Sequence, residues 1–93
     1  MKISFFAYYR NADYAGCRET VLTGPSTLRD LGETLGALYG KKFYEEFFSP
    51  DKSALGEKII VMVNGRRAEF LNGLDTALSD TDKVLIFPIV AGG

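Results

Sequence analysis

IIVMVNGRRAEF, residues 59–70, decides the fold of this 93-residue chain. Five consecutive β-branched or long apolar residues, 59–63, make the clearest strand in the sequence. Asn64 and Gly65 follow, and Asn-Gly supplies the positive φ angles that a two-residue type I′ turn demands. Residues 66–70 are therefore expected to return as the partner strand of a hairpin. Alternation along 59–63 sets Val61 and Val63 on one face and Ile60 and Met62 on the other.

Downstream, LNGLDTALSDTD (71–82) reads as loop with a helical turn, and KVLIFPIV (83–90) as the last strand. Pro88 lacks an amide donor and marks where regular pairing should end. In this strand Val84 and Ile86 oppose Leu85 and Phe87. Upstream lies a polar loop, SPDKSALGE (49–57). Before it, 41–48 pairs Phe43 with Phe47 and Tyr44 with Phe48 at i, i+4, which predicts a short helix. Leu28, Leu31, Leu35 and Leu38 give a longer helix an apolar stripe, with Gly40 as its stop. Ser26 or Thr27 can cap it, and Thr27 with Asp30 matches the T-x-x-D form of the capping box. CRETVLT (17–23) and KISFFAYY (2–9) read as strands, joined by the polar stretch RNADYAG.

The order is β, β, α with a short helix, β, β, β. Such runs of strands around a segregated helix predict an α+β domain, one sheet face packed on the helix. No linker or repeat interrupts residues 1–93, which read as a single domain ending in a tail at 89–93. Ile3, Phe5, Val61, Val63, Val84 and Ile86 are assigned to the core with the helix leucines. The opposite face still holds Phe6, Ile60, Met62, Leu85 and Phe87. Two readings of that face stand: the helix at 41–48 or the loop at 49–57 folds over it, or it is an apolar docking patch for a partner.

Composition removes several functions. Eleven basic and twelve acidic residues give a net charge of −1, so no basic stripe points to nucleic acid. Cys17 is the only cysteine and histidine is absent, which excludes an intrachain disulfide, a Cys/His zinc site and a four-cysteine iron–sulfur centre. It also excludes nucleophile–histidine catalysis. Cys17 lies in a strand and is expected to be a small buried residue. No apolar run approaches the ~20 residues needed to span a bilayer, and a soluble, cytoplasmic setting is expected.

Four stretches carry a family likeness. FFAYYRNADYAG (5–16), with Arg10 and Gly16, STLRDL (26–31), VMVNGR (61–66) and above all GLDTALSDTDKVLIFPIVAGG (73–93) resemble the MoaD/ThiS family of ubiquitin-like sulfur carriers, MoaD most. Thr81 stands where the family has glycine, and Ile89 replaces a second proline. The resemblance implies a β-grasp fold, a mixed sheet of four to five strands packed on one main helix. It implies that a ubiquitin-activating-type adenylyltransferase, MoeB- or ThiF-like, adenylates the carboxylate of Gly93 with ATP and magnesium. A persulfide or sulfide donor then replaces AMP and leaves a thiocarboxylate.

This chain would bind no cofactor or metal of its own, and no nucleic acid or membrane. In the MoaD reading, the tail enters a MoaE-like large subunit and supplies sulfur for molybdopterin. Alternatives are a carrier for thiamin, cysteine or tRNA thiolation, or a modifier whose Gly93 forms an isopeptide bond to lysine. Gly92 and Ala91 suit a narrow channel, since a Cβ at 92 or 93 would widen the threaded segment. Phe6, Met62, Phe87 and Arg10 are the expected partner contacts, with Arg66 or Arg67 as possible polar additions.

Overall fold

The computed structural model describes the backbone of residues 1–6 and 17–88, and the side chains of 1–4 and 19–87. Five strands are described: β1 (Lys2–Phe6), β2 (Cys17–Val21), β3 (Ile59–Val63), β4 (Arg66–Arg67) and β5 (Lys83–Pro88). Two helices, α1 (Leu28–Tyr39) and α2 (Lys41–Phe47), lie between β2 and β3. The strands form one mixed sheet in the order β2-β1-β5-β3-β4. β1 runs parallel to β5, and every other neighbouring pair is antiparallel.

The alternation read from the sequence holds. Ile3, Val61, Val63, Val84 and Ile86 are buried in one cluster with Leu28, Leu31 and Leu35 of α1. Phe43, Phe47 and Phe48 join the same cluster, and Leu55 packs against it. The apolar residues of α2 and of the loop after it therefore serve the helix side of the sheet. The Phe5 side chain lies outside the described residues; its backbone pairs with Ile86 and Arg18.

Helix α1 starts where the capping residues predict. Thr27 Oγ1 accepts from the Asp30 amide at 3.2 Å. The Asp30 carboxylate reaches back to Ser26, accepting from its amide at 3.3 Å and its hydroxyl at 2.7 Å. These bonds hold the Asp30 carboxyl below the usual aspartate range. One member of the leucine stripe is corrected: Leu38 is 58% exposed. In the last turn the inward place goes to Tyr39, four residues after Leu35, whose ring lies 6.2 Å from that of Phe43.

The helices approach closely because α1 carries Gly32 and Gly36 on the facing side. A methyl group at Gly32 would stand 2.4 Å from Phe47 Cε1, and one at Gly36 would stand 2.6 Å from Tyr44 Cδ1. Within and beyond α2 the rings meet as their spacing predicts, Phe43 stacked on Phe47 at 6.0 Å and Tyr44 tilted against Phe48 at 4.9 Å.

The hairpin forms across two residues, with Val63 opposite Arg66 and Met62 opposite Arg67. Asn64 and Gly65 take φ of 52° and 85°, both positive as a type I′ turn requires. The return strand is shorter than 66–70, however. After Arg67 the chain tightens into two successive 3-10 turns, Ala68–Phe70 and Gly73–Asp75. The Leu71 amide bonds to the Ala68 carbonyl at 2.9 Å, and Gly73 adopts φ 55°. These turns bury Ala68 and Leu74, and that burial prevails over strand continuation.

β5 ends its described pairing at Pro88, opposite Ile59. Thr81, in the glycine place of the turn before β5, has no positive φ; the turn is closed by the Asp82 amide on the Ser79 carbonyl at 3.1 Å.

Candidate functional site

The sheet face turned away from the helices is built by register. Ser4 lies opposite Glu19 and Leu85, Leu85 opposite Met62, and Met62 opposite Arg67. One row across all five strands therefore reads Glu19, Ser4, Leu85, Met62, Arg67. Ile60 and Phe87 form the neighbouring pair, one step nearer the point where β5 gives way to residues 89–93. Ile60, Met62, Leu85 and Phe87 are all half-buried, in contrast to the fully buried core positions between them.

The two borders of this apolar centre differ in chemistry. On the β1–β2 side Lys2 pairs with Glu19 at 3.0 Å, and the Ser4 hydroxyl donates to Glu19 at 3.2 Å. The Lys2 ammonium, first by its hydrogen bond and then by its charge, holds the Glu19 carboxyl below the usual glutamate range. On the β4 side Arg67 forms an ion pair with Glu69, and its guanidinium lies 5.5 Å from the centre of the Phe70 ring. The Arg67 Nε is buried and lacks a hydrogen-bond partner.

Of the residues expected to contact a partner, Met62 and Phe87 share this face as diagonal neighbours on adjacent strands. Phe6 is placed only by its backbone, which pairs with Cys17. The side chains of Phe6 and Cys17 lie outside the described residues, as do Arg10, Ala91, Gly92 and Gly93 altogether. Arg66 is exposed at the hairpin; Arg67 is half-buried beside Met62.

Phe70 is the neighbour that pattern reading misses. Read as a strand, RRAEF alternates and sends Arg67 and Phe70 to opposite faces; only the 3-10 turn stacks residues three apart on each other.

Among the described residues no group of three histidine, cysteine, aspartate or glutamate side chains could hold a metal ion. No described helix is long and apolar enough to cross a membrane. A cavity of ≈ 520 Å³ lies on the β4 side of β3, lined by Ile59, Ile60, Arg67, Glu69 and Leu74 among others, apolar residues mixed with charges of both signs.

Residues 3–93 match the ThiS family. No curated protein matches the sequence. Among solved structures the chain is similar to the HVO 2177 protein of Haloferax volcanii, at 30% identity and a TM-score of 0.68, covering 100% of this chain and 87% of that one. It is also similar to a candidate molybdopterin converting factor, subunit 1, of Pyrococcus furiosus, at 29% identity and a TM-score of 0.60, covering 96% and 98%. The Amycolatopsis orientalis BexX/CysO complex matches at 20% identity and a TM-score of 0.71, covering 98% and 99%, a likeness of fold alone.

Proposed function

The chain belongs to the ThiS family of ubiquitin-like carriers, and we propose that it carries sulfur on the carboxylate of Gly93 as the small subunit of a molybdopterin-synthase-type assembly. The observation that carries the reading is a family match that runs through Gly92 and Gly93, joined to a domain whose last strand is held at the centre of the sheet. The Pyrococcus furiosus relative, at 29% identity, supports the molybdopterin branch.

A carboxylate is a poor electrophile, because its negative charge opposes attack. Reaction of the Gly93 carboxylate with ATP forms an acyl-adenylate and releases pyrophosphate. Attack by sulfide on the acyl carbon expels AMP and leaves the thiocarboxylate. ATP and magnesium belong to an adenylyltransferase of the MoeB or ThiF kind, and sulfur transfer to a large subunit of the MoaE kind. The half-buried face of Ile60, Met62, Leu85 and Phe87 is the docking surface, which offsets the conformational entropy the glycine tail loses on insertion.

Intact-mass analysis of the chain isolated from its own cells tests this. One oxygen replaced by sulfur at Gly93 is the expected result. A lysine-linked conjugate would make the chain a modifier instead. An unmodified carboxylate in cells actively making molybdopterin would sink the carrier reading. Phe87→Asp is expected to weaken activation while the domain stays folded, checked by circular dichroism beside the adenylation assay.

A further inference from the structure

We infer that the docking surface continues off the sheet onto Phe70, and that Phe70 with Arg67 forms a second anchor for the protein that adenylates the tail; this rests on the carrier reading above. Phe70 is 76% exposed, an aromatic ring left largely in water. It has one described neighbour that favours a resting place for the ring. The Arg67 guanidinium lies 5.5 Å from its ring centre, and Glu69 pairs with that guanidinium from the same turn. A ring biased toward one place before binding loses less conformational freedom when buried, and aromatic and arginine side chains are the commonest energetic centres of interfaces.

Topology supplies the occupant. Arg67 lies opposite Met62 on the outward sheet face, so it continues the row that contains Leu85. β4 runs antiparallel to β3, and the turn Ala68–Phe70 therefore heads toward the Ile59 end of β3. Ile59 is the residue paired with Pro88, where β5 hands over to residues 89–93. The turn that carries Phe70 thus leads toward the end of the sheet where Pro88 is followed by residues 89–93, and a protein that takes up Gly93 is brought to this end of the domain.

The chemistry of the matching surface follows. Phe70 requires an apolar depression, with the exposed Leu71 at its margin. Glu69 occupies only part of a guanidinium that carries five N–H donors, and the Arg67 side chain is 41% exposed. Nε is buried, so a carboxylate or carbonyl at the rim of the depression can take the terminal N–H donors that Glu69 leaves. Leu38 and Val21 are also exposed, at 58% and 73%, but they lie on α1 and on the far edge strand β2, away from this end of β3.

The test uses the full chain as co-substrate of its adenylating enzyme, followed by ATP–pyrophosphate exchange. Phe70→Ser is expected to raise KM for the chain about tenfold with kcat retained, and Arg67→Met to raise it less. Leu38→Ser should leave KM unchanged. Thermal unfolding of Phe70→Ser should match the parent, since the ring is mostly in water. An unchanged KM for Phe70→Ser, or an equal rise for Leu38→Ser, overturns the inference while leaving the carrier reading intact. A fall in melting temperature with KM unchanged also overturns it, assigning Phe70 to packing. Failure of the parent chain to support any exchange defeats the carrier reading itself, and this inference with it.

Discussion

Gly32 and Gly36 occupy positions where a methyl group has no room, but the two are not equivalent. At Gly32 the added Cβ would meet Phe47 Cε1 at 2.4 Å and Phe48 Cζ at 2.7 Å, and both rings are buried. Alanine gains about 1 kcal/mol of helix propensity over glycine. Overpacking a closed core costs about 1–3 kcal/mol. Gly32→Ala is therefore expected to lower unfolding free energy by up to about 2 kcal/mol in urea titrations. At Gly36 the obstacle is Tyr44, which is half-buried and so has solvent on one side to yield toward, and Gly36→Ala should cost less. Leucine spacing made α1 legible in the sequence; these two contacts were not, because they depend on how α2 folds back.

At the scale of elements, the hairpin turn was the most readable part and the strand after it the least. Asn64 does more than accept a positive φ. Its side-chain amide donates to Asp82 at 2.9 Å and its carbonyl oxygen accepts from the Lys83 amide at 3.0 Å, so the turn is tied to the start of β5. Asp82 also accepts from the Ser79 amide at 2.8 Å. The Asn64 bond first, then the Ser79 amide, hold the Asp82 carboxyl below the usual aspartate range. A lowered carboxylate contributes stability that is full above the ordinary aspartate value and lost as pH falls through its own lower value. The melting-temperature advantage of the parent over Asp82→Asn should therefore be present at neutral pH and shrink in strong acid. An advantage independent of pH would contradict this. The return strand was overestimated because alternation cannot register a 3-10 turn, whose driving force is the burial of Ala68 and Leu74 from a segment of mixed polarity.

Across the whole molecule, element order and sheet faces could be read from alternation, since Val61, Val63, Val84 and Ile86 are buried while Ile60, Met62, Leu85 and Phe87 are not fully so. Neighbour relations across the sheet could not, because they depend on a parallel pairing between segments more than 80 residues apart in places, Ile3 with Val84 among them. That pairing sets β5 between β1 and β3. A chain ended after Asp82 is expected to be unfolded by circular dichroism, since β1–β2 and β3–β4 are then left without their shared neighbour.

The central place of β5 also governs how the domain responds to force. A pull applied at Pro88 along the axis of β5 acts on a strand hydrogen-bonded on both edges, to β1 on one side and to β3 on the other. Such a load falls on the ladder bonds in shear, all at once. An edge strand drawn sideways would instead surrender its bonds one at a time. The domain can thus bear traction along β5 without unravelling.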